Sequence, residues 1–424
     1  MTDTTTERVA VASQAPARDG PNAPAAPPHD EARAKSAVLL LVWAQSVLGA
    51  QLPVHFVLGG LAGALLADDP AYATLPISFT VASSMVAAPL MSALMGRFGR
   101  RTGFLIAAIA GAAGGWLASE AILAKDFSLL CVAGGLFGVY LAGHNFYRFA
   151  AADLASPAFR PKAISWVMGG GLAAALIGPQ IVVWFQDALA PAPFAGAYRA
   201  VVVLNLLGAL PMLALDIPAP PRRPRGSAPA GRPWREILSE RRIVVAILCA
   251  MVSYSLMNLV MTSTPLAMLG CGFDSATAAG VVSVHVVAMY LPSFFTGGLI
   301  LRFGAPKVIA AGLFLLGTGG AVALSGLALE QFFIALALMG LGWNFGFVGS
   351  TAMLAAAYRP EERSRVQGLN DFLVMGLVTV ASFSSGALLA GFGWEAVNLA
   401  MLPGLTLAAA ALIWLTLTDA PRGG

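Results

Sequence analysis

Twelve apolar stretches follow one another along the 424 residues of this chain. Each is about 20 residues long, which is enough for an α-helix to cross the roughly 30 Å hydrocarbon core of a bilayer. The stretches are continuous, whereas the strands of a membrane barrel would alternate between apolar and polar residues. Hydrophobic residues make up 58% of the chain and charged residues 11%, against roughly 45–50% and 25% in soluble domains. The predicted fold class is therefore an all-α integral membrane protein with 12 transmembrane helices.

A tripeptide recurs half a chain apart. Arg97-Phe-Gly99 returns as Arg302-Phe-Gly304, and each copy ends one apolar stretch and opens the next. A loop signature repeated in this way indicates that a membrane bundle was duplicated. The sequence therefore predicts two pseudo-symmetric six-helix bundles, which is the usual construction of a transporter that works by alternating access.

Composition divides the chain into five segments. The first residues are rich in Ala, Pro, Asp and Arg, which predicts disorder rather than a signal peptide. The segment between the bundles begins as a Pro/Arg/Gly-rich linker and then becomes amphipathic, which predicts a short helix lying on the membrane surface. The predicted divisions are a disordered cytoplasmic tail (1–35), the N-terminal bundle (36–216), a cytoplasmic linker with an interfacial helix (217–242), the C-terminal bundle (243–418) and a cytoplasmic C-terminus (419–424).

The positive charges are distributed asymmetrically. Of the 25 Lys and Arg residues, 22 fall in the two termini and in alternate loops. By the positive-inside rule, this predicts a multi-pass protein of the bacterial plasma membrane with both termini in the cytoplasm. The pI near 9.1 then reflects topology, and no nucleic-acid partner is expected. The basic linker is expected to meet membrane lipids, either by general attraction to the inner leaflet or by binding a specific anionic lipid.

Four stretches resemble a known family. The segment Gly96-Arg-Phe-Gly-Arg-Arg-Thr-Gly103, between the second and third predicted helices, resembles the loop signature of the major facilitator superfamily. Residues 297–304 resemble its second-half copy, and residues 152–163 and 358–363 resemble the stretches that leave helices 4 and 10. The resemblance covers everything after the tail. It implies a membrane transporter with a 6+6 helix arrangement, whose cavity is lined by helices 1, 4, 5, 7, 8, 10 and 11.

The resemblance also implies a conformational latch at the basic loops, and it has departures. The acidic residue of the loop signature is replaced by Gly96 in the first copy and by Leu301 in the second. Of the antiporter signature in helix 5, Gly178-Pro179 match while other glycines are replaced, which argues against drug efflux. The expected latch residues are Arg97, Gly99, Arg100, Arg101, Asp153, Arg302 and Gly304.

Helix 4 carries the largest cluster of polar side chains inside an apolar stretch. His144, Tyr147 and Arg148 are spaced i, i+3 and i+4, so they share one face of the helix. Ionisable groups inside a membrane are costly and are functional candidates by default. Arg148 offers a planar fork that suits an anionic substrate or a moving carboxylate. The alternative is that it snorkels to the headgroups or pairs with Asp153.

Three residues are candidates for carrying a coupling proton. Asp371 lies in helix 11, and its alternative role is to hold Arg363, Arg365 or the loop between helices 2 and 3. His55 in helix 1 and His285 in helix 8 have side chains that titrate near neutral pH. The alternative for both histidines is a hydrogen bond to a neighbouring helix.

Further polar and aromatic residues on the same helices suit a cavity for an organic molecule. Polar packing between helices is the alternative interpretation. The predicted substrate or cavity residues are Gln51, His55, His144, Tyr147, Arg148, Gln180, Tyr254, Asn258, His285, Trp343 and Asn344.

Together these features predict a secondary active transporter of a small organic solute, which acts as a monomer and is coupled to protons, for example as a symporter. The chain has no nucleotide-binding motif, no catalytic constellation and no metal-ligand spacing, so we expect no enzyme activity, no cofactor and no metal. The alternatives are a drug or metabolite efflux antiporter and a transporter-like membrane sensor without flux. Substrate identity and direction of transport stay open.

Overall fold

The computed structural model describes residues 31–69, 72–217 and 231–419. Within these ranges, the regular elements are all helical. The predicted tail as far as residue 30, most of the Pro/Arg/Gly-rich part of the linker and the last five residues lie outside the described residues.

Twelve helical segments account for the predicted crossings. They are α1 (Glu31–Leu66), α2 (Leu75–Phe98), α3 (Arg100–Ala124), α4 (Phe127–Leu154), α5 (Arg160–Phe185), α6 (Ala195–Ala214), α7 (Arg241–Gly270), α8 (Ser275–Tyr290 with Ser293–Phe303), α9 (Ala305–Leu324), α10 (Leu329–Ala357), α11 (Arg363–Leu399) and α12 (Met401–Asp419).

Two helical stretches, α11 with α12 and the two parts of α8, contain a break that decides how many times each crosses the membrane. The run Arg363–Thr418 is helical over 56 residues, or about 84 Å at ~1.5 Å per residue, far longer than one crossing. The chain turns at Gly393, where φ is 83° and ψ is 179°, so the run makes two crossings. The two parts of α8 meet at an angle of 41° beside Pro292 and form one bent crossing. The prediction of twelve helices is therefore confirmed.

The repeated tripeptide has the same conformation in both copies. Gly99 ends α2 with φ 91° and ψ 158°, and Gly304 ends α8 with φ 85° and ψ 150°. This region of backbone space favours glycine. The guanidinium carbon of Arg97 lies 5.1 Å from the Phe98 ring centroid, and that of Arg302 lies 5.2 Å from Phe303. The two halves thus repeat a geometry as well as a sequence.

The two bundles are built by close helix contacts and meet along two helix pairs. Within the first bundle, Gly134 of α4 approaches α2 so closely that a Cβ would lie 2.2 Å from the Pro76 carbonyl oxygen. Within the second, a Cβ on Gly312 of α9 would lie 2.4 Å from the Gly346 nitrogen of α10. Between the bundles, α2 packs on α11 and α5 packs on α8. The helices of the second pair are in close contact near Gly297 of α8, where an added Cβ would meet the backbone of α5.

The segment boundaries differ from the predicted ones by a few residues. Helix α1 is described from Glu31, inside the predicted tail, and an exposed Glu31–Lys35 ion pair of 3.7 Å at i, i+4 lies near its start. The linker contains a short helix, Trp234–Ser239, and α7 begins at Arg241. This short element is called the linker helix below.

Candidate functional site

The two bundles are locked together at the face that carries most of the arginines, called the basic face here. Arg100, at the start of α3, is 4% exposed and donates to Asp153 Oδ2 of α4 at 2.6 Å. The same guanidinium donates to the side-chain oxygen of Gln367 on α11. Arg363 of α11 lies 3.7 Å from Asp153. One carboxylate of the first bundle therefore holds cations from both bundles.

Further hydrogen bonds close the same face. The Tyr358 hydroxyl, just after α10, donates to Asp153 at 3.5 Å and accepts from Gln367 Nε2 at 2.5 Å. Arg160, at the start of α5, donates to the Ala355 carbonyl of α10 at 3.2 Å. The cleft between the bundles is thus closed at the basic face in this conformation.

The expected latch residues divide into three groups. Arg100 and Asp153 join the bundles, whereas Arg97 and Arg302 lie on the surface over their neighbouring Phe rings. Arg101 donates to the Leu213 carbonyl at 3.2 Å, within the first bundle. Gln367 and Tyr358 were not predicted, because uncharged side chains at a helix end carry no distinctive sequence signal.

A buried ion pair crosses the cleft at the break in α4. The first part of α4 ends at Asn145 and the second begins at Tyr147. From this second part, Arg148 Nη2 donates to Asp371 Oδ1 of α11 at 2.5 Å, with side chains only 3% and 1% exposed. Asn370 Nδ2 also donates to Asp371 Oδ1, at 2.8 Å. The pair links the two bundles.

This pairing excludes two alternatives that the sequence left open. Asp153 is not the partner of Arg148, because Arg100 and Arg363 hold it nearer the basic face. Asp371 does not hold Arg363 or the loop between α2 and α3, because it lies deeper and meets Arg148.

Aromatic rings surround the Arg148 guanidinium. Its central carbon lies 4.6 Å from the Phe149 ring centroid and 4.4 Å from that of Phe347. Phe347 stacks on Trp343 of the same helix, α10, at 5.3 Å with an interplanar angle of 16°. Tyr254 of α7 meets both rings edge-on, at 5.5 Å from Trp343 and 5.2 Å from Phe347. The second bundle thus carries an aromatic cluster beside the ion pair, in which Trp343 and Phe347 are buried and the half-buried Tyr254 forms the surface.

Tyr290 extends this surface and was not predicted. It is the last residue before the break in α8, and its ring lies 5.8 Å from the Trp343 ring. It also packs on Gly171 of α5, where a Cβ would lie 2.4 Å from the Tyr290 ring. Tyr290 therefore contacts both bundles. The available sequence signal was a tyrosine two residues before Pro292 in an apolar stretch.

Several buried polar atoms around the ion pair have no hydrogen-bond partner within the described residues. Buried polar groups are normally paired, so such a concentration points to a site where hydrogen bonds are made to another molecule. A Cβ on Gly49 of α1 would lie 3.1 Å from one of these atoms, Nε2 of His144. The atoms concerned are Nδ1 and Nε2 of His144, Nδ2 of Asn145, Nε of Arg148, Nδ2 of Asn258, Nε1 of Trp343, Oδ1 of Asn370 and Oδ2 of Asp371.

Three side chains of α7, spaced i, i+4 and i+8, show how exposure changes along the cleft-facing side of this helix. Tyr254 contacts Phe347, which contacts Arg148, so the face of α7 that carries Tyr254 is turned to the cleft. Tyr254 and Asn258 on this face are half-buried, and Thr262, one turn further from the basic face, is exposed. This face of α7 therefore becomes more exposed with distance from the basic face, toward the opposite face of the membrane, called the acidic face here.

Tyr147 and His144 of α4 pack on one another within the first bundle. The Tyr147 ring meets Phe104 of α3 edge-on at 4.7 Å and His144 at 5.2 Å. Tyr147 is fully buried, whereas His144 is half-buried. His144 is thus the more accessible of the two.

Two predicted cavity residues of α1 belong instead to the interior of the first bundle. Gln51 exchanges hydrogen bonds with the Asn205 amide of α6, at 2.9 and 3.1 Å. His55 Nε2 lies 2.8 Å from Thr80 Oγ1, and its Nδ1 lies 3.4 Å from the Tyr198 hydroxyl. Both side chains are fully buried. In this structure neighbouring helices satisfy their hydrogen bonds, which is the packing role that the sequence left open as the alternative.

The corresponding residues of the second bundle are also internal. His285 Nδ1 lies 2.7 Å from the Leu336 carbonyl of α10. Asn344 of α10 donates to the Met289 carbonyl at 2.7 Å and to the Ser293 hydroxyl at 2.5 Å, on either side of the α8 break. Asn344 thus replaces a helical hydrogen bond that the break removes. Both residues stabilise the packing of α8 on α10 rather than line the cleft.

Gln180 is separate from the ion pair. It is exposed on α5 between Leu176 and Trp184, whose exposed fractions are 62% and 70%. A face this apolar and exposed has the composition of a lipid-facing surface rather than of a polar site.

The linker is attached to the second bundle through a buried carboxylate. Glu362, just before α11, accepts from Arg232 Nε at 2.8 Å and Nη2 at 2.9 Å, and from the Arg232 backbone at 2.9 Å. Arg359 donates its backbone N–H to the same carboxylate at 3.1 Å. These hydrogen bonds, with those from Arg232 the strongest, lower the pKa of Glu362 to about 2. Gly231, with φ +85°, packs against the Glu362 side chain.

Within the described ranges, no three or more His, Cys, Asp or Glu side chains are grouped to hold a metal ion. Cys131 and Cys249 are buried and apart, and Cys271 is exposed. The chemistry of the site is therefore that of hydrogen bonds, aromatic contacts and one ion pair.

Twelve crossings in two six-helix bundles, closed at one face around a polar and aromatic cleft, define a multi-pass membrane transporter of a small solute. The chain belongs to the Major Facilitator Superfamily, whose sequence profile matches residues 36–300 and 247–424.

Three relatives of known sequence are similar over most of their length. The Riboflavin transporter RfnT of Brucella anthropi is 41% identical over 396 residues, which cover 93% of this chain and 98% of that protein. Two uncharacterized MFS-type transporters of Bacillus subtilis, YdeG and YddS, are 30% and 28% identical over 83% and 80% of this chain, and 85% and 81% of their own.

Solved structures of the same fold are more distant in sequence. The transporter FucP in its outward conformation is 15% identical with a TM-score of 0.70, covering 89% of this chain and 97% of its own. The human organic anion transporter MFSD10 is 16% identical with a TM-score of 0.68, covering 90% and 99%. At this identity, the likeness establishes the fold.

Proposed function

We propose that this protein is a secondary transporter of riboflavin or a closely similar flat aromatic solute, and that the solute binds in the cleft beside the Arg148–Asp371 pair. The observation that carries the proposal is the aromatic surface flanked by buried, unpartnered hydrogen-bonding atoms. The 41% identity to a riboflavin transporter over nearly the whole chain supports the same substrate.

The two sides of the cleft match the two parts of such a molecule. A flavin has a flat three-ring system with a polar edge and a flexible chain of hydroxyl groups. Trp343, Tyr254 and Tyr290 offer ring faces and edges, and aromatic pairs contribute about 0.5–1.5 kcal/mol beyond the area they bury. His144 and Asn145 on the opposite bundle offer nitrogens suited to carbonyl and hydroxyl groups.

Alternating access follows from the position of the ion pair. Arg148 and Asp371 belong to different bundles, so rocking the bundles to open the basic face pulls them apart. A carboxylate left alone in this apolar setting is costly, and taking up a proton removes the cost. We therefore assign Asp371 as the proton site of a symporter, in preference to the internal histidines His55 and His285.

The proposed setting is the bacterial plasma membrane, with both termini and the basic face in the cytoplasm. The cleft then opens to the outside in the conformation described, and an inward proton gradient drives uptake. The proposed working unit is a monomer, because the cleft is formed by the two bundles of one chain.

The test is riboflavin transport into liposomes that contain the purified protein. Flavin fluorescence is followed with and without an imposed pH difference. We expect uptake that rises above equilibrium when the outside is acidic. The matched control is Arg199→Gln, which should transport normally. Arg199 of α6 forms an ion pair with Glu120 of α3, outside the cleft. If riboflavin crosses the membrane in neither direction, the proposal is overturned. If uptake is equal with and without the pH gradient, the proposed coupling to protons is wrong.

A further inference from the structure

We propose that the transporter selects the uncharged flavin and rejects its 5′-phosphate, by means of a charge-neutral binding cleft behind an acidic opening. This inference rests on the proposed function and specifies the form of the substrate. It is carried by two independent observations, one at the centre of the cleft and one at the acidic face.

At the centre, the cation is already neutralised. Arg148 and Asp371 are 2.5 Å apart and nearly fully buried, so their charges cancel. Two Phe rings, Phe149 and Phe347, cover the guanidinium of Arg148. The next buried cation toward the basic face, Arg100, is held by Asp153. An anion in the cleft would therefore have to break one of these pairs to find a partner.

The loops and helix ends of the acidic face carry a strong negative excess. Eight carboxylates and two cations lie at this face, which gives 2 − 8 = −6. One cation, Arg199, is paired with one of the carboxylates, Glu120. Potentials of this kind lower the local concentration of anions and slow their entry. The carboxylates are Asp68, Asp69, Glu120, Asp126, Asp187, Asp274, Glu330 and Glu395, and the cations are Lys125 and Arg199.

The difference between the two flavins is one group. A phosphate ester carries about −1.5 to −2 charges near pH 7. Riboflavin ends in a hydroxyl, which the unpartnered nitrogens of His144, Asn145 or Asn258 can satisfy. Leaving a charge buried and unpaired commonly changes affinity by two or more orders of magnitude, whereas a hydroxyl is accommodated by one hydrogen bond.

The experiment measures equilibrium binding of riboflavin and riboflavin 5′-phosphate to the full-length protein in detergent, using flavin fluorescence and calorimetry. For the wild type we expect the phosphate to bind at least about 100-fold more weakly. Asp371→Asn leaves the charge of Arg148 unneutralised, so the ratio of phosphate to riboflavin affinity should rise at least about 10-fold. The double variant Arg148→Gln/Asp371→Asn makes the cleft neutral again and should restore the preference for riboflavin.

The outcomes separate the two proposals. If riboflavin binds and its phosphate binds equally well to the wild type, the selectivity inference is wrong and the riboflavin function stands. If riboflavin itself does not bind, the proposed function fails and the inference fails with it. If Asp371→Asn does not fold, the double variant supplies the test, because a neutral cleft predicts that it still discriminates. Loss of discrimination in the double variant would contradict the neutral-cleft argument.

Discussion

Arg148 of α4 and Asp371 of α11, 223 positions apart in the sequence, meet at 2.5 Å in the interior of the protein. They belong to different bundles, so this contact can persist only while the bundles keep their present arrangement. Removing one partner leaves the other charge buried and alone, which typically costs ~3–5 kcal/mol. The pair therefore stabilises one conformation of the transporter in particular.

Replacing Asp371 by Asn should uncouple transport from the proton gradient. The amide keeps the size of the side chain but cannot exchange a proton, so accumulation of riboflavin against its gradient should stop. Exchange of riboflavin across the membrane should continue. Both are measured in liposomes with an imposed pH difference. Asp187→Asn, at the acidic face, is the control, and accumulation by Asp371→Asn at the wild-type level would exclude it as the proton carrier.

Replacing Trp343 by Leu should weaken riboflavin binding by roughly 10-fold, or about 1.4 kcal/mol, because the rings of Tyr254 and Tyr290 that pack on it lose their support. Trp343 is 2% exposed and contacts Tyr254, Tyr290 and Phe347. Binding is measured by quenching of flavin fluorescence. Trp184→Leu, on the exposed face of α5, should leave affinity unchanged. A similar loss in both variants would show that the effect does not arise from the cleft.

Replacing Glu362 by Gln should lower the melting temperature at neutral pH by roughly 3–6 °C, for about 2 kcal/mol of lost stabilisation. The hydrogen bonds from Arg232 depress the pKa of Glu362 from 4.5 to about 2. A depressed pKa contributes stability above pH 4.5 that is lost as the pH falls toward 2. The difference between wild type and variant should therefore shrink over that range. Glu361→Gln, which is exposed, is the control. If the melting temperatures of wild type and variant differ by the same amount at all pH values, the ionised form of Glu362 is not the source of the stabilisation.

Replacing His55 by Gln should lower stability while leaving the pH dependence of transport unchanged. His55 bridges Thr80 and Tyr198 inside the first bundle, and an unsatisfied buried group there costs ~1–3 kcal/mol. The melting temperature and the pH profile of riboflavin uptake are measured on the same preparation. A shifted pH profile would restore His55 as a coupling residue.

The sequence was sufficient to predict the fold, because membrane crossings depend on composition over some 20 residues. Arg148 and Asp371 were each identified because a charge in an apolar stretch is costly. Their pairing was not identified, since no local pattern relates positions in separate bundles. The nearer partners Asp153 and Arg363 were considered only as alternatives to a cavity role for Arg148 and a proton-carrying role for Asp371.

A different reason explains why four polar residues were assigned to the cleft although they lie inside the bundles. A helix that is apolar all round gives no sign of which face meets its own bundle and which meets the cleft. Gln51, His55, His285 and Asn344 were therefore assigned to the cleft by helix number, and the structure places them inside the bundles. Tyr290 was overlooked for the converse reason, because one more aromatic residue in an apolar stretch is not distinctive.

The break in α8 joins the aromatic cluster of the cleft to the framework of the second bundle. Tyr290 sits at the last residue before the break, and Asn344 of α10 supplies hydrogen bonds on either side of it. The break in α8 is thus stabilised by the side-chain amide of a residue on another helix rather than by the backbone of α8. A solute that contacts Tyr290 acts on α8 directly beside its break. We expect a movement of α8 at this point to be transmitted first to α10, through the hydrogen bonds of Asn344.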